Sequence, residues 1–133
     1  MKVSIPFNQR VFRDFQLFVV PVLLENHGRS LYLPMIIDSG ATYLTVRADV
    51  FDQLEINPIR RVPLVIASER AVAPIGRVSK VTVGAHCSAV SVDVISIALP
   101  GALPAEGLLG ASFLRHFRVS MDYENGNLVL EQT

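Results

Sequence analysis

Asp38-Ser39-Gly40-Ala41 follows directly on the apolar run Leu33-Pro34-Met35-Ile36-Ile37. The run reads as a buried strand, so the strand would end on a carboxylate. Gly40 can take φ > 0 without a Cβ penalty. The small neighbours Ser39 and Ala41 would let another backbone come close. A reactive carboxylate needs this setting: a fixed position, a short hydroxyl beside it, and room for a substrate. The same residue types are also ordinary turn formers between strands. Taken alone, the stretch leaves both readings open.

A second stretch bears on the choice. Glu106-Gly107-Leu108-Leu109-Gly110-Ala111-Ser112-Phe113-Leu114 sets two leucines between glycines and then returns to apolar residues. Asp-Ser-Gly-Ala in a strand-rich chain, with Leu108-Leu109-Gly110 about 70 residues later, resembles the retropepsin-like aspartic proteases. These are single-domain relatives of pepsin and include retroviral proteases and several bacterial families. Residues 107–130 also resemble the C-terminal half of the bacterial and retrotransposon-like members. There Gly-Leu-Leu-Gly-x-x-Phe-Leu leads through Phe117-Arg118-Val119 to an Asp-containing strand and a last hairpin. The resemblance covers roughly residues 15–131. Each motif is weak by itself; their order and spacing together are specific.

The resemblance implies peptide hydrolysis by two carboxyls that share one proton. The ionised one takes a proton from water, and the protonated one donates to the carbonyl oxygen. The chain has one Asp-Ser-Gly, and Asp14, Asp49, Asp52, Asp93 and Asp122 do not precede Ser/Thr-Gly. The second carboxyl must then come from a second copy, and two-fold dimers are the commonest oligomers. By the resemblance Asp38 is catalytic. Ser39 would hold the dyad by hydrogen bonding across the axis. Gly40 would offer its carbonyl to substrate, and Ala41 would border the central specificity pocket. Leu108, Leu109 and Gly110 would support this loop from below. A flap over the substrate would fall at residues 66–74, with Ala67, Ser68, Glu69 and Arg70 at its tip. Related bacterial sequences often carry Gly near that tip. A charged, glycine-free tip would close less tightly or favour a polar substrate side chain, and it also reads as an ordinary solvated turn.

Other chemistry finds little support. His27, His86 and His116 are scattered, and Cys87 is the only cysteine. No Cys-x₂₋₄-Cys or His-x₃₋₅-His pair suggests zinc, so no metal and no cofactor are expected. Cys87 reads as a turn residue. Ser112 follows Gly110-Ala111 but lacks the second Gly of a nucleophile elbow. No glycine-rich phosphate loop occurs. Asp122 reads as the anchor of a turn. Formal net charge is zero, and without clustered Lys and Arg no nucleic-acid footprint is present.

The elements that must position these residues read as one domain over residues 1–133, with residues 1–14 a loosely held arm or edge segment. Half the residues are hydrophobic, enough for one core. Strands are expected over residues 16–24 and 31–37, a hairpin that delivers Asp38, and over 42–46, 62–67, 77–83 and 90–98. Helical spacing of Ala48, Val50, Phe51 and Leu54 predicts a short helix ended by Asn57-Pro58, and residues 111–116 a second. Residues 84–88 form a turn, and 100–107 a Pro- and Gly-containing loop. The last strands, 117–123 and 127–131, form a self-contained hairpin around Asn125-Gly126. Many short strands with turn punctuation argue an all-β closed barrel or sandwich with one or two short helices. The resemblance makes it the acid-protease fold, half of a pepsin.

The longest greasy run, residues 17–24, contains Pro21 and is too short to span a membrane, which needs about 20 residues. With no signal-peptide pattern at the start, a cytoplasmic protein is expected. The reading is an aspartic endopeptidase active as a homodimer on peptide or protein substrates. A catalytically silent dimerisation or peptide-binding module on this fold is the alternative, since fold does not guarantee activity. An unrelated β-barrel binder with a coincidental Asp-Ser-Gly turn is a third.

Overall fold

A computed structural model describes residues 1–66 and 69–132. In chain order the elements are β1 (Lys2–Pro6), α1 (Gln9–Phe15), β2 (Val19–Asn26), β3 (Arg29–Ile37), β4 (Leu44–Val46), α2 (Ala48–Gln53) and β5 (Arg60–Ile66). They continue with β6 (Glu69–Val83), β7 (Cys87–Ser96), β8 (Gly107–Leu109), α3 (Ala111–Leu114), β9 (Phe117–Asp122) and β10 (Asn127–Gln132). Among the described residues the fold is mostly β, with three short helices rather than one or two.

Six strands close a barrel in the order β2-β3-β8-β4-β7-β6, and β6 returns to β2. Alternation builds its inner wall. Val20, Val22 and Leu24 of β2 are fully buried, as are Val78, Val81 and Val83 of β6 and Val92 and Val94 of β7. β-Branched side chains suit a pleated surface packed on one face. The β2–β3 hairpin turns at His27-Gly28, where both residues have positive φ, 49° and 74°. That is the two-residue turn whose twist matches its strands.

β6 is 15 residues long and takes in, besides the strand expected over residues 77–83, most of the segment expected as the flap. Its first half pairs with β5, from Ile66↔Glu69 to Arg60↔Ile75, and its second half pairs with β7 and β2. Gly76 lies where the partner changes. A Cβ there would sit 2.3 Å from the Ile56 side chain, so glycine permits close packing rather than ending the strand.

The second sheet has the order β1-β10-β9. The C-terminal hairpin is therefore not self-contained, since β10 lies between β9 and β1. Residues 1–14, read as an arm or edge segment, supply the edge strand β1 and the helix α1. Asn8 caps that helix, accepting from the Val11 N–H at 3.0 Å. α1 buries no residue fully, which explains why apolar spacing did not reveal it. The hairpin loop spans residues 123–126, and the Gly126 N–H donates to the Asp122 carbonyl at 2.9 Å. It is a four-residue turn with positive φ at Gly126 alone, not a two-residue Asn-Gly turn.

Candidate active site

β3 and β8 run parallel, with Met35↔Gly107, Ile36↔Leu108 and Ile37↔Leu109 in register. The two apolar runs are therefore neighbours, and both end at one place. The Asp38 N–H donates to the Leu109 carbonyl at 3.1 Å, and the Ile37 N–H to Phe18 at 2.8 Å. Asp38 starts its loop clamped from both sides.

The glycines of Gly107-Leu108-Leu109-Gly110 have a steric reason. β4 crosses β8 antiparallel, pairing Val46 with Gly107 and Thr45 with Leu108. A Cβ on Gly107 would lie 2.7 Å from the Thr45 carbonyl oxygen. A Cβ on Gly110 would lie 2.3 Å from the Tyr43 oxygen and 2.7 Å from that of Ala41. The chain after Asp38 thus lies flat on Gly110. Further hydrogen bonds fasten it: the Ala111 N–H donates to the Ala41 carbonyl at 2.7 Å, and Ser112 N–H to Thr42 at 2.9 Å. Leu109 is fully buried under this contact.

Ser112 completes the clasp, a part the sequence did not reveal. Its buried Oγ accepts from the Leu44 N–H at 2.8 Å and donates to the Asp93 carbonyl at 2.8 Å. One hydroxyl ties the strand after the Asp38 loop to β7. Weighed only as a nucleophile, the residue offered no other signal than a polar side chain amid the apolar residues of α3.

Within the loop, the Gly40 N–H donates to Asp38 Oδ1 at 3.1 Å, and the Ala41 N–H to the Asp38 carbonyl at 3.2 Å. Gly40 is not among the residues with positive φ. Its need for glycine is different: a Cβ would stand 3.3 Å from Asp38 Oδ1. The missing side chain leaves room beside the carboxylate. Asp38 is half-buried, whereas Ser39 and Gly40 are exposed. Ser39, Ile37, Phe18 and Leu114 line a groove of about 350 Å³ shared with β9.

Of the expected flap tip, Ala67 and Ser68 lie outside the described residues. Glu69 begins β6 opposite Ile66, and Arg70 is exposed. The base of this β5–β6 hairpin is tied to the site: Ala73, Ile75, Val62 and Leu64 share an apolar cluster with Tyr43 and Ile95. Cys87 does not sit in the turn but opens β7, buried, and burial pushes its thiol up from the ordinary range. A buried thiol of that kind is a packing residue, not a nucleophile. Among the described residues no group of three His, Cys, Asp or Glu side chains is placed to hold a metal. Among them, too, no helix is long and apolar enough to cross a membrane. Asp122 does anchor its turn, accepting from Asn125 N–H at 3.1 Å and Asn125 Nδ2 at 2.8 Å. These bonds hold its carboxyl below the usual range.

Comparison with known proteins agrees with this geometry. No curated protein matches the sequence. The structure is similar to that of a retropepsin-like aspartic protease from Rickettsia conorii, with a TM-score of 0.63 at 16% identity over 98% of this chain and 90% of that one. That likeness is one of fold. Residues 20–113 match the family described as Aspartyl protease, a span that holds both the Asp38 loop and the Gly107–Gly110 clasp beneath it. The chain belongs to the aspartyl protease family.

Proposed function

We propose that the chain is an aspartic endopeptidase, a single domain over residues 1–133 that works as a two-fold homodimer with one Asp38 from each subunit. The observation that carries this reading is the setting of Asp38. It is half-buried and held by Leu109 and Gly40, while Ser39 and Gly40 stand exposed on a loop clasped from below by Gly110–Ser112. A carboxylate so fixed, with an open face, suits pairing with its own copy.

In the dimer one Asp38 is ionised and its mate protonated, because like charges about 3 Å apart do not both ionise. The ionised carboxylate takes a proton from water, whose oxygen adds to the peptide carbonyl carbon. The protonated carboxyl gives its proton to the carbonyl oxygen. Collapse of the tetrahedral diol breaks the C–N bond as a proton passes to the leaving nitrogen. Ser39 bonds across the axis, Gly40 offers its carbonyl to the substrate, and Ala41 borders the pocket. Leu108, Leu109 and Gly110 fix the loop. Glu69 and Arg70 stand at the flap over the substrate. The single Cys87 fits a reducing, cytoplasmic setting.

A catalytically silent peptide-binding module is the second reading, favoured by a flap tip with Glu69-Arg70 and no glycine. Cleavage of a mixed peptide pool at acidic pH separates the two. The enzyme cleaves, a statine-type inhibitor stops it, and Asp38→Asn abolishes it. A purified chain that binds peptides and leaves them intact would establish the module.

A further inference from the structure

Charge is spread unevenly over this neutral chain. Residues 59–77, the β5–β6 hairpin with its base, hold Arg60, Arg61, Arg70 and Arg77 against Glu69 alone. The segment is formally +3, and the rest of the chain balances it at −3. Arg77 is already engaged, since its Nε donates to Asp93 Oδ1 at 3.0 Å from directly across the ladder. Arg60 and Arg61 are exposed. Among the described residues neither forms an ion pair. Glu69 stands at the far end of the hairpin from both, opposite Ile66.

Strand alternation sorts these cations by face. Val62 and Leu64 of β5 pack with Ala73 and Ile75 of β6 against Tyr43 and Ile95. Arg60 is in step with Val62 and Leu64 and lies opposite buried Ile75. It therefore belongs to the face that the hairpin turns toward Tyr43, five residues beyond Asp38. Arg61 and Arg70 are out of step and share the outer face with Val72, which is 60% exposed. An extended peptide held between the hairpin and the Asp38 loop runs along the inner face. One cation without a partner, Arg60, stands at the end of that face.

We propose that Arg60 selects an acidic side chain of the substrate, on a residue away from the bond that is cleaved. The inference rests on the peptidase reading above and names the substrate class for it: peptide segments with Glu or Asp flanking the cleavage point. A guanidinium meets a carboxylate with two parallel hydrogen bonds. The apolar side chains of Val62 and Ile75 beside it keep part of the solvent away, which strengthens the pair. Arg61 and Arg70 face outward and add a longer-range attraction. That attraction speeds the approach of acidic segments and fades as salt rises.

Peptides of one cleavable sequence, carrying Glu, Gln or Lys at one flanking position at a time, test it on the full chain. The assay runs at about pH 5.5, where glutamate is ionised. At one position wild type should cleave the Glu peptide at least about threefold better than the Gln peptide in kcat/KM, with the Lys peptide worst. The gain should lie in KM, because the contact is away from the reacting carbonyl. Arg60→Gln should erase this preference, and Arg60→Glu should turn it toward Lys. Arg61→Gln removes the same charge from the outer face and should keep the preference. Wild type that cleaves the three peptides alike, or Arg60→Gln that still prefers Glu, overturns the inference and leaves the peptidase reading standing. Binding to phosphatidylglycerol vesicles that Arg60→Gln abolishes, with no Glu preference in cleavage, overturns it in favour of a membrane surface. A chain that cleaves no peptide sinks the peptidase reading, and affinity for the uncleaved peptides then decides. Glu-peptide binding that Arg60→Gln abolishes upholds the acidic contact, whereas equal binding of Glu and Lys peptides overturns both.

Discussion

Replacing Ser112 with alanine removes one oxygen from beneath the Asp38 loop. That oxygen satisfies two backbone groups, the Leu44 N–H and the Asp93 carbonyl, each at 2.8 Å. Ser112 is 3% exposed, so water does not readily take its place. Each orphaned buried group costs about 1–3 kcal/mol, and a small void adds to this. The variant should lose about 2–4 kcal/mol of stability. For a chain of this length that is a melting temperature lower by about 3–5 °C for each kcal/mol. Urea unfolding followed by circular dichroism measures the loss as a lower midpoint at unchanged slope. Because the hydroxyl positions the loop without touching substrate, kcat should fall more than KM rises among the chains still folded. A loss under about 0.5 kcal/mol, the range of ordinary surface changes, would refute the claim that this hydroxyl holds the clasp.

Gly110→Ala places a methyl 2.3 Å from the Tyr43 oxygen and should cost more than about 3 kcal/mol, read as loss of soluble protein or a collapse of the urea midpoint. Gly40→Ala meets only Asp38 Oδ1, at 3.3 Å, and should melt within about 2–3 °C of wild type while peptide turnover falls. Asn125→Ala tests pH dependence. Asp122 has a folded pKa held down first by the Asn125 side chain, so its contribution is present above the unfolded value of about 3.9 and is lost as pH falls through the folded one. The melting difference between wild type and Asn125→Ala should be open at neutral pH and close in acid; a gap that widens in acid would contradict the sign.

The parts of the site that lie in short apolar runs could be read from the chain alone. Asp38 and Leu108-Leu109-Gly110 carry strong residue-type signals, and parallel pairing of β3 with β8 turns two distant motifs into one place. What escaped depends on tertiary contact. The reason for Gly40 is space beside a carboxylate, not a turn angle, and only coordinates distinguish the two. Pro74 and Gly76 are breakers by local rule, yet β6 runs through them, with Pro74 opposite Arg61 of β5 and Gly76 making room for the Ile56 side chain. The buried hydroxyl of Ser112 has no sequence signature, since its partners are backbone groups 19 and 68 residues away. α1 escaped because it buries no full face. Cys87 looked like a turn residue because the strand begins one residue after the turn that Gly84 makes.

Mixing wild type with Asp38→Asn chains tests the shared site most directly. A heterodimer has one carboxyl and cannot share a proton between two, so only the wild-type homodimer cleaves. With random exchange, activity follows the square of the wild-type fraction, and an equimolar mixture at fixed total protein keeps about one quarter of the wild-type rate. A linear fall to about one half would mean that each chain cleaves alone with its own Asp38, and would contradict the two-carboxyl dimer.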